Sequence, residues 1–175
     1  RDQIGKFGLH DYVLPLVGRT SQIEGLIFTK KDWKKNDADN LKTNLLNIPF
    51  NSNGTLPEKV KSYIRLGEEM QYNEGYKCRI RTPWYTVPSV WVSDAFLFRQ
   101  IHNFPKLILN KAKALTTDTI HRVRLKEKTN PRIFSTCFHN SLTFAFSETM
   151  GRSYGGGVLE LEPKEAENLP VPYFN

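Results

Sequence analysis

Hydrophobic and polar positions along the chain change rhythm several times, and each change predicts an element. His10 to Thr29 places two short apolar runs, Tyr12-Val-Leu-Pro-Leu-Val17 and Gly25-Leu-Ile-Phe28, on either side of a breaker. They read as an antiparallel strand pair joined through Gly18 to Ser21. Lys30 to Lys35 reads as a solvated turn or, with Trp33 among four lysines, as a phosphate-facing surface, and Asn36 to Gly54 as a long loop with one helical turn around Leu41 to Leu46. Pro57 to Tyr72 carries Val60, Tyr63, Ile64, Gly67 and Met70 at helical spacing, with Pro57 suited to the first turn and Gly75 as a stop. The period then shortens to two. Lys77, Arg79 and Arg81 alternate with Cys78 and Ile80, which predicts a strand with one cationic face. Thr82 to Pro88, bounded by prolines, is an edge strand or loop. Val90 to Phe98 and Lys106 to Asn110 are further strands. The alternation returns at Thr117 to Lys126, where Arg122, Arg124 and Lys126 share a face opposite Val123 and Leu125. Ile133 to Met150 reads as one long core helix starting at Asn130-Pro131. Val158 to Glu162 is a last strand and Pro163 to Asn168 a short helix. The predicted fold class is α/β (α+β): a mixed, mostly antiparallel sheet with two main flanking helices, in one domain covering 1–175.

Composition narrows the function. The chain has 175 residues, of which 39% are hydrophobic, so a core is expected and disorder is not. Its net charge of +7 and pI near 9.4 favour polyanionic partners. No apolar run approaches the roughly 20 residues of a membrane span. Cys78 and Cys137 are too few for a disulfide framework and read as buried thiols in a reducing cytoplasm. The opening Arg1-Asp-Gln-Ile-Gly-Lys has neither an initiator Met nor a signal-peptide core, and reads as a cut through a longer polypeptide.

Two basic-faced strands are the main physical argument for a nucleic-acid surface. Lys77, Arg79, Arg81, Arg122, Arg124 and Lys126 suit phosphates or guanine edges, and His121 lies between two of these cations. Trp84 and Tyr85 suit stacking on a base or, equally, packing at the rim. Thr117 and Thr119 suit hydrogen bonds to bases, or with Asp118 the capping of a turn. Arg152, Ser153 and Tyr154 border the glycines at 155–157. That turn lacks the lysine and hydroxyl residue of a phosphate-binding loop and reads as a flexible connection that lets two elements pack closely. Glu160, Glu162 and Lys164 form the second half of a metal-dependent nuclease motif, but Pro163 interrupts it and no partner aspartate precedes it. The histidines and cysteines show no metal spacing. No catalytic constellation emerges.

The tail Gly151-Arg-Ser-Tyr-Gly-Gly-Gly-Val-Leu-Glu-Leu-Glu-Pro-Lys-Glu-Ala-Glu-Asn-Leu-Pro-Val-Pro172 closely resembles the end of bacterial N6-adenine DNA methyltransferases of restriction-modification systems. So do Val13-Leu-Pro-Leu-Val-Gly-Arg19, Gly25-Leu-Ile-Phe-Thr-Lys-Lys-Asp-Trp33, Arg81-Thr-Pro-Trp-Tyr-Thr-Val-Pro-Ser89, Thr117-Asp-Thr-Ile-His-Arg-Val-Arg124 and Asn140-Ser-Leu-Thr-Phe-Ala-Phe-Ser147, in the expected order. The Asn-Pro-Pro-aromatic tetrapeptide of the methylating site is absent. The resemblance therefore implies the C-terminal target-recognition part of an S-adenosylmethionine-dependent enzyme. It would contact double-stranded DNA, with the cofactor and the flipped adenine held by an N-terminal catalytic domain of the same polypeptide. The alternatives are a metal-dependent nuclease built on Glu160, Glu162 and Lys164, or a domain of a separate specificity subunit. Such subunits repeat this unit between long helical spacers, and the sequence shows neither.

Overall fold

A computed structural model describes residues 2–50 and 56–173. The strands are β1 (Val13–Val17), β2 (Ile27–Phe28), β3 (Asn44–Leu46), β4 (Ala95–Phe98), β5 (Gln100–Ile101), β6 (Leu107–Asn110), β7 (Leu115–Thr116), β8 (Ile120–Val123), β9 (Arg152–Tyr154) and β10 (Val158–Glu160). The helices are α1 (Asp2–Lys6), α2 (Lys30–Ala38), α3 (Glu58–Glu69), α4 (Tyr76–Arg79), α5 (Pro131–Phe138), α6 (Ser141–Met150) and α7 (Pro163–Asn168). The fold is α+β. Antiparallel pairing joins β4 to β6 and β8, and β10 to β5 and β9, and the strands are distributed over several small sheets rather than one. The chain divides into two compact units, residues 1–14 with 44–90 and residues 15–43 with 91–175.

In the first unit, Leu9, Ile48 and Val60 form a small core, flanked by Phe7, Tyr12, Tyr63, Ile64 and Tyr85. The helical stripe read from Val60 onward is α3, which begins after Pro57 and ends at Met70, before Gly75. Gln71, at φ 59°, makes the left-handed turn expected of the glycine. Gly67 is needed for close packing. A Cβ there would stand 2.7 Å from Cη2 of Trp84, so the indole lies directly against the helix.

The expected strand over Lys77 to Arg81 is absent. Tyr76–Arg79 is a one-turn helix with no strand beside it, and Ile80, assigned to a buried face, is 67% exposed. Two-residue alternation without a partner strand has no ladder to hold it extended. Thr82 to Pro88 is irregular, as the loop alternative had it.

The second unit holds the larger cores. A four-stranded sheet in the order β2-β6-β4-β8 packs Phe28, Phe96, Ile108 and Ile120 on one side. On the other, Ala95, Leu97, Leu107 and Leu109 meet Phe138, Leu161 and Leu169. The first two strands are not a pair: β1 lies parallel to β7 and β2 parallel to β6. The short apolar runs are visible in the sequence, but their partners stand some eighty to a hundred residues away. Lys30 to Lys35 is not a turn. Thr29 and Asp32 cap each other's backbone N–H, at 3.3 and 2.7 Å, and start α2. The Thr29 hydroxyl, donating at 2.6 Å, holds the Asp32 carboxyl below its usual range. Nor is Leu41 to Leu46 helical, since β3 occupies Asn44–Leu46; part of that predicted loop falls outside the described residues.

The single helix expected over Ile133 to Met150 is two. Asn140 accepts from the Thr143 N–H at 3.0 Å and so caps a new helix after α5 ends at Phe138. The tail follows its sequence reading closely. β9 and β10 pair through Gly155 to Gly157, and Pro163 opens α7. The glycines serve a purpose different from close packing. Cβ atoms there would meet nothing, whereas Gly156 and Gly157 have φ of 80° and 77°, a backbone that side chains resist. Close approach belongs instead to Gly151, where a Cβ would lie 2.8 Å from Leu159 Cδ1. Both cysteines are free and half-buried rather than fully buried.

Candidate nucleic-acid interface

A long cation-rich segment lies in the second unit. Between Lys111 and Arg132 the chain carries seven Lys and Arg against two acids, Asp118 and Glu127. Lys111, Lys113, Arg124, Lys126, Lys128 and Arg132 are exposed, and among the described residues none of the six has a carboxylate within salt-bridge distance. Two elements present this segment. The buried side chain of Asn110 donates to the carbonyls of Ser93 and Ala114 (2.9 Å each) and accepts from the Ala114 N–H at 3.0 Å, which fixes the Lys111–Lys113 turn. Strand β8 then runs along the edge of the sheet, with Arg122 opposite Phe96 of β4.

Arg122 and Arg124 meet on a residue that the sequence reading passed over. Both guanidinium groups lie over the ring of Trp91, each 4.5 Å from its centroid. A guanidinium on an indole face keeps its charge and its N–H edges available, because the ring supplies attraction without accepting those protons. Only the folded chain brings position 91 to position 122, so no local pattern announces it.

The remaining predicted residues divide by what they touch. His121 points opposite to Arg122, and its Nε2 lies 2.6 Å from the Leu161 carbonyl, an internal link between β8 and the tail. The Thr117 hydroxyl donates to the Gly18 carbonyl at 3.1 Å and lies 3.1 Å from the exposed Thr119 hydroxyl. Arg152 binds Glu165 through Nε and Nη2, at 3.0 and 2.8 Å, which raises the arginine's pKa and lowers the glutamate's. Its charge is thus largely answered within the fold. Ser153 is exposed beside it, and Tyr154 donates to Glu162 at 3.4 Å.

In the first unit, Lys77 and Arg79 are exposed on α4, while Arg81 donates to the Thr86 carbonyl at 3.3 Å. Trp84 packs on Gly67 and donates its indole N–H to Glu68 at 3.0 Å. Tyr85 borders the small core. With Tyr63, Ile64 and Met70 these two aromatics line an apolar cavity of about 350 Å³.

The carboxylates of the nuclease alternative are engaged as well. Arg99 reaches Glu160 at 3.2 Å and Glu162 at 2.5 Å, and Gln100 donates to Glu160 at 2.6 Å. The Glu162 hydrogen bond raises the Arg99 pKa. A guanidinium therefore stands where a divalent cation would have to bridge the pair, and no group of three or more metal-ligating side chains assembles among the described residues. The glycine cluster closes the β9–β10 hairpin and opens no helix whose N–H groups could face a ligand.

The type II methyltransferase M.AccI of Acinetobacter calcoaceticus is 23% identical over 164 residues, which cover 88% of this chain and 28% of that protein. The chain thus spans little more than a quarter of that relative's length. No solved structure matches. The family model of the C-terminal domain of type II methyltransferase M.Eco57I matches residues 1–175, and the chain belongs to that family.

Proposed function

We propose that this chain binds double-stranded DNA and selects the target sequence for a restriction-modification methyltransferase. The methyl group would pass from S-adenosylmethionine to the N6 of adenine in a catalytic domain N-terminal to it in the same polypeptide, in the cytoplasm. The observation that carries the reading is the Lys111–Arg132 segment, where six exposed cations have no carboxylate partner among the described residues and where Arg122 and Arg124 share an indole. Neutralising DNA phosphates releases counterions, which gives affinity; base edges then add selection. Extruding a base costs a few kcal/mol, and a domain anchored on the flanking duplex lowers the net cost to its catalytic partner.

Among the residues expected to meet DNA, the cations divide into two groups. Arg122, Arg124 and Lys126, with Thr119 beside them, form the principal group; Lys77 and Arg79 form a second in the other unit. Arg152, His121, Trp84 and Tyr85 serve the fold first. The nuclease alternative has no comparable support, because its glutamates are neutralised by Arg99.

The test is a salt titration of binding to a random-sequence duplex pool, with sequencing of the retained fraction. An enriched motif, with affinity falling steeply as salt rises, is expected. Absence of binding even at low salt would overturn the proposal. Salt-sensitive retention without enrichment would overturn the sequence-selecting half and keep the backbone-binding half.

A further inference from the structure

Three lysines of the second unit stand where the fold disfavours them, and backbone hydrogen bonds bring their two segments together. Lys113 has φ 54°, a left-handed backbone that glycine or asparagine adopts with less strain. Lys30 and Lys31 occupy the first turn of α2, at the end of the helix dipole that repels cations. The N–H groups of Lys111 and Ala112 donate to the Phe28 carbonyl at 2.8 and 2.9 Å, two residues before Lys30. Ala112 and Ala114 are buried and anchor the turn that Asn110 fixes, while Lys111 and Lys113 are exposed. Lys34, one helical turn beyond Lys30, is exposed as well. Among the described residues none of these five lysines has a carboxylate within salt-bridge distance, whereas Lys35 is held by Glu24 at 3.0 Å. Asp32, the acid of that first turn, is engaged by Thr29 and acts on Lys31 only through space.

We propose that Lys30, Lys31 and Lys34 of α2 join Lys111 and Lys113 in one surface for the phosphates of the DNA backbone, an inference that rests on the DNA-binding function proposed above. Phosphates nearby would offset both the repulsion among these lysines and that between the helix dipole and Lys30 and Lys31. The backbone is a better partner here than base edges. An ammonium is a point charge suited to phosphate, whereas bases are read mainly by arginine and amide forks. The amides on these elements are already bound to backbone carbonyls: Asn110 to those of Ser93 and Ala114, and Asn36 to that of Gln22 at 2.8 Å. Trp33 offers no stacking face either, since its ring packs against the core and its indole N–H donates to the Thr43 carbonyl at 2.8 Å.

The experiment measures affinity for one fixed duplex at several salt concentrations, using the 175-residue chain, with thermal unfolding of every variant alongside. Lys30→Gln/Lys34→Gln and Lys111→Gln/Lys113→Gln should each weaken binding about tenfold at moderate salt and lower the magnitude of the salt slope by about 1 to 2. Lys59→Gln/Lys61→Gln on α3 removes the same net charge elsewhere and should change affinity by less than about twofold. Lys113→Asn alone, which suits the left-handed backbone, should unfold at the same temperature or higher, yet bind more weakly with the slope reduced by about 1. On scrambled duplexes the lysine variants should lose as much as on the fixed one, as lost backbone contacts require. Losses no larger than those of the α3 control, with weakened binding in Arg122→Ala/Arg124→Ala, would overturn the inference while sparing the DNA-binding function. Loss confined to the change at Lys111 and Lys113 would remove α2 from the surface and overturn it too. Loss confined to the fixed duplex would overturn the assignment to the backbone. Absence of binding by the parent chain, even at low salt, would remove the function proposed above and this surface with it.

Discussion

Lys77–Arg81 and Arg122–Lys126 carry three cations at the same two-residue spacing, yet they occupy different kinds of structure. The first forms one turn of helix and a bend, with Lys77, Arg79 and even Ile80 exposed. In the second, Arg122 lies in an edge strand paired along its length with β4, and its neighbour Ile120 is buried against Phe96 and Ile108. The difference lies in the neighbours: a waiting strand with Phe96 and Leu97 at its centre, and a tryptophan to receive the guanidiniums. A cationic face becomes a defined surface when nonlocal partners fix the backbone beneath it. Without them the same charges stay on mobile side chains that lose more entropy on binding.

Removing the support beneath the second segment should have the largest effect. Phe96 is completely buried opposite Arg122, so Phe96→Ala should cost about 3–5 kcal/mol in denaturant unfolding and loosen β8 in hydrogen exchange. Equal loosening of residues 76–81 and 120–123 would erase the contrast. The corresponding change in the first unit is Gly67→Ala. Its new methyl would stand 2.7 Å from the Trp84 ring, and about 1–3 kcal/mol of destabilisation is expected, with exchange increasing first around α3 and Trp84.

Charge removal sharpens the comparison further. Arg122→Ala with Arg124→Ala should reduce the magnitude of the salt slope of DNA binding by about 2, and Lys77→Ala with Arg79→Ala by less than 1. Equal slopes for the two pairs would mean that preorganisation is irrelevant to this surface.

The smallest effect concerns acid. Burial among Phe104, Phe138 and Phe144 lowers the His139 pKa, while its hydrogen bond to Ser135 works the other way. Nδ1 lies 2.6 Å from the Ser135 carbonyl, and Nε2 accepts from the Leu107 N–H at 3.3 Å, an arrangement that requires the neutral ring. The unfolded chain therefore takes up the proton first. Stability supplied by His139 is complete above the ordinary histidine range, near 6.5, and is lost as pH falls through and below it. The second unit should loosen at mildly acidic pH in hydrogen exchange, and His139→Gln should flatten that dependence.

What could be read from the sequence followed how local the cause was. The β9–β10 turn and α7 depend on glycines and a proline inside one short stretch, and both were legible. So was α3, whose stripe is its own address. The break at Asn140 and the start of α2 at Thr29 are also local, but a hydrophobic run and a lysine run masked their caps. The parallel partners of β1 and β2 and the meeting of Trp91 with Arg122 and Arg124 arise only after collapse. For the site, the cationic face of β8 was visible as alternation, whereas what stabilises that face was not.

The division into residues 1–14 with 44–90 and 15–43 with 91–175 has a consequence for inheritance. A single recombination crossover anywhere between Pro15 and Val90 leaves both units with sequence from each parent. Wholesale transfer of either unit between homologous enzymes would need paired exchanges. Under the function proposed above, new specificities are therefore more accessible by point substitution on a surface such as that of β8 than by shuffling.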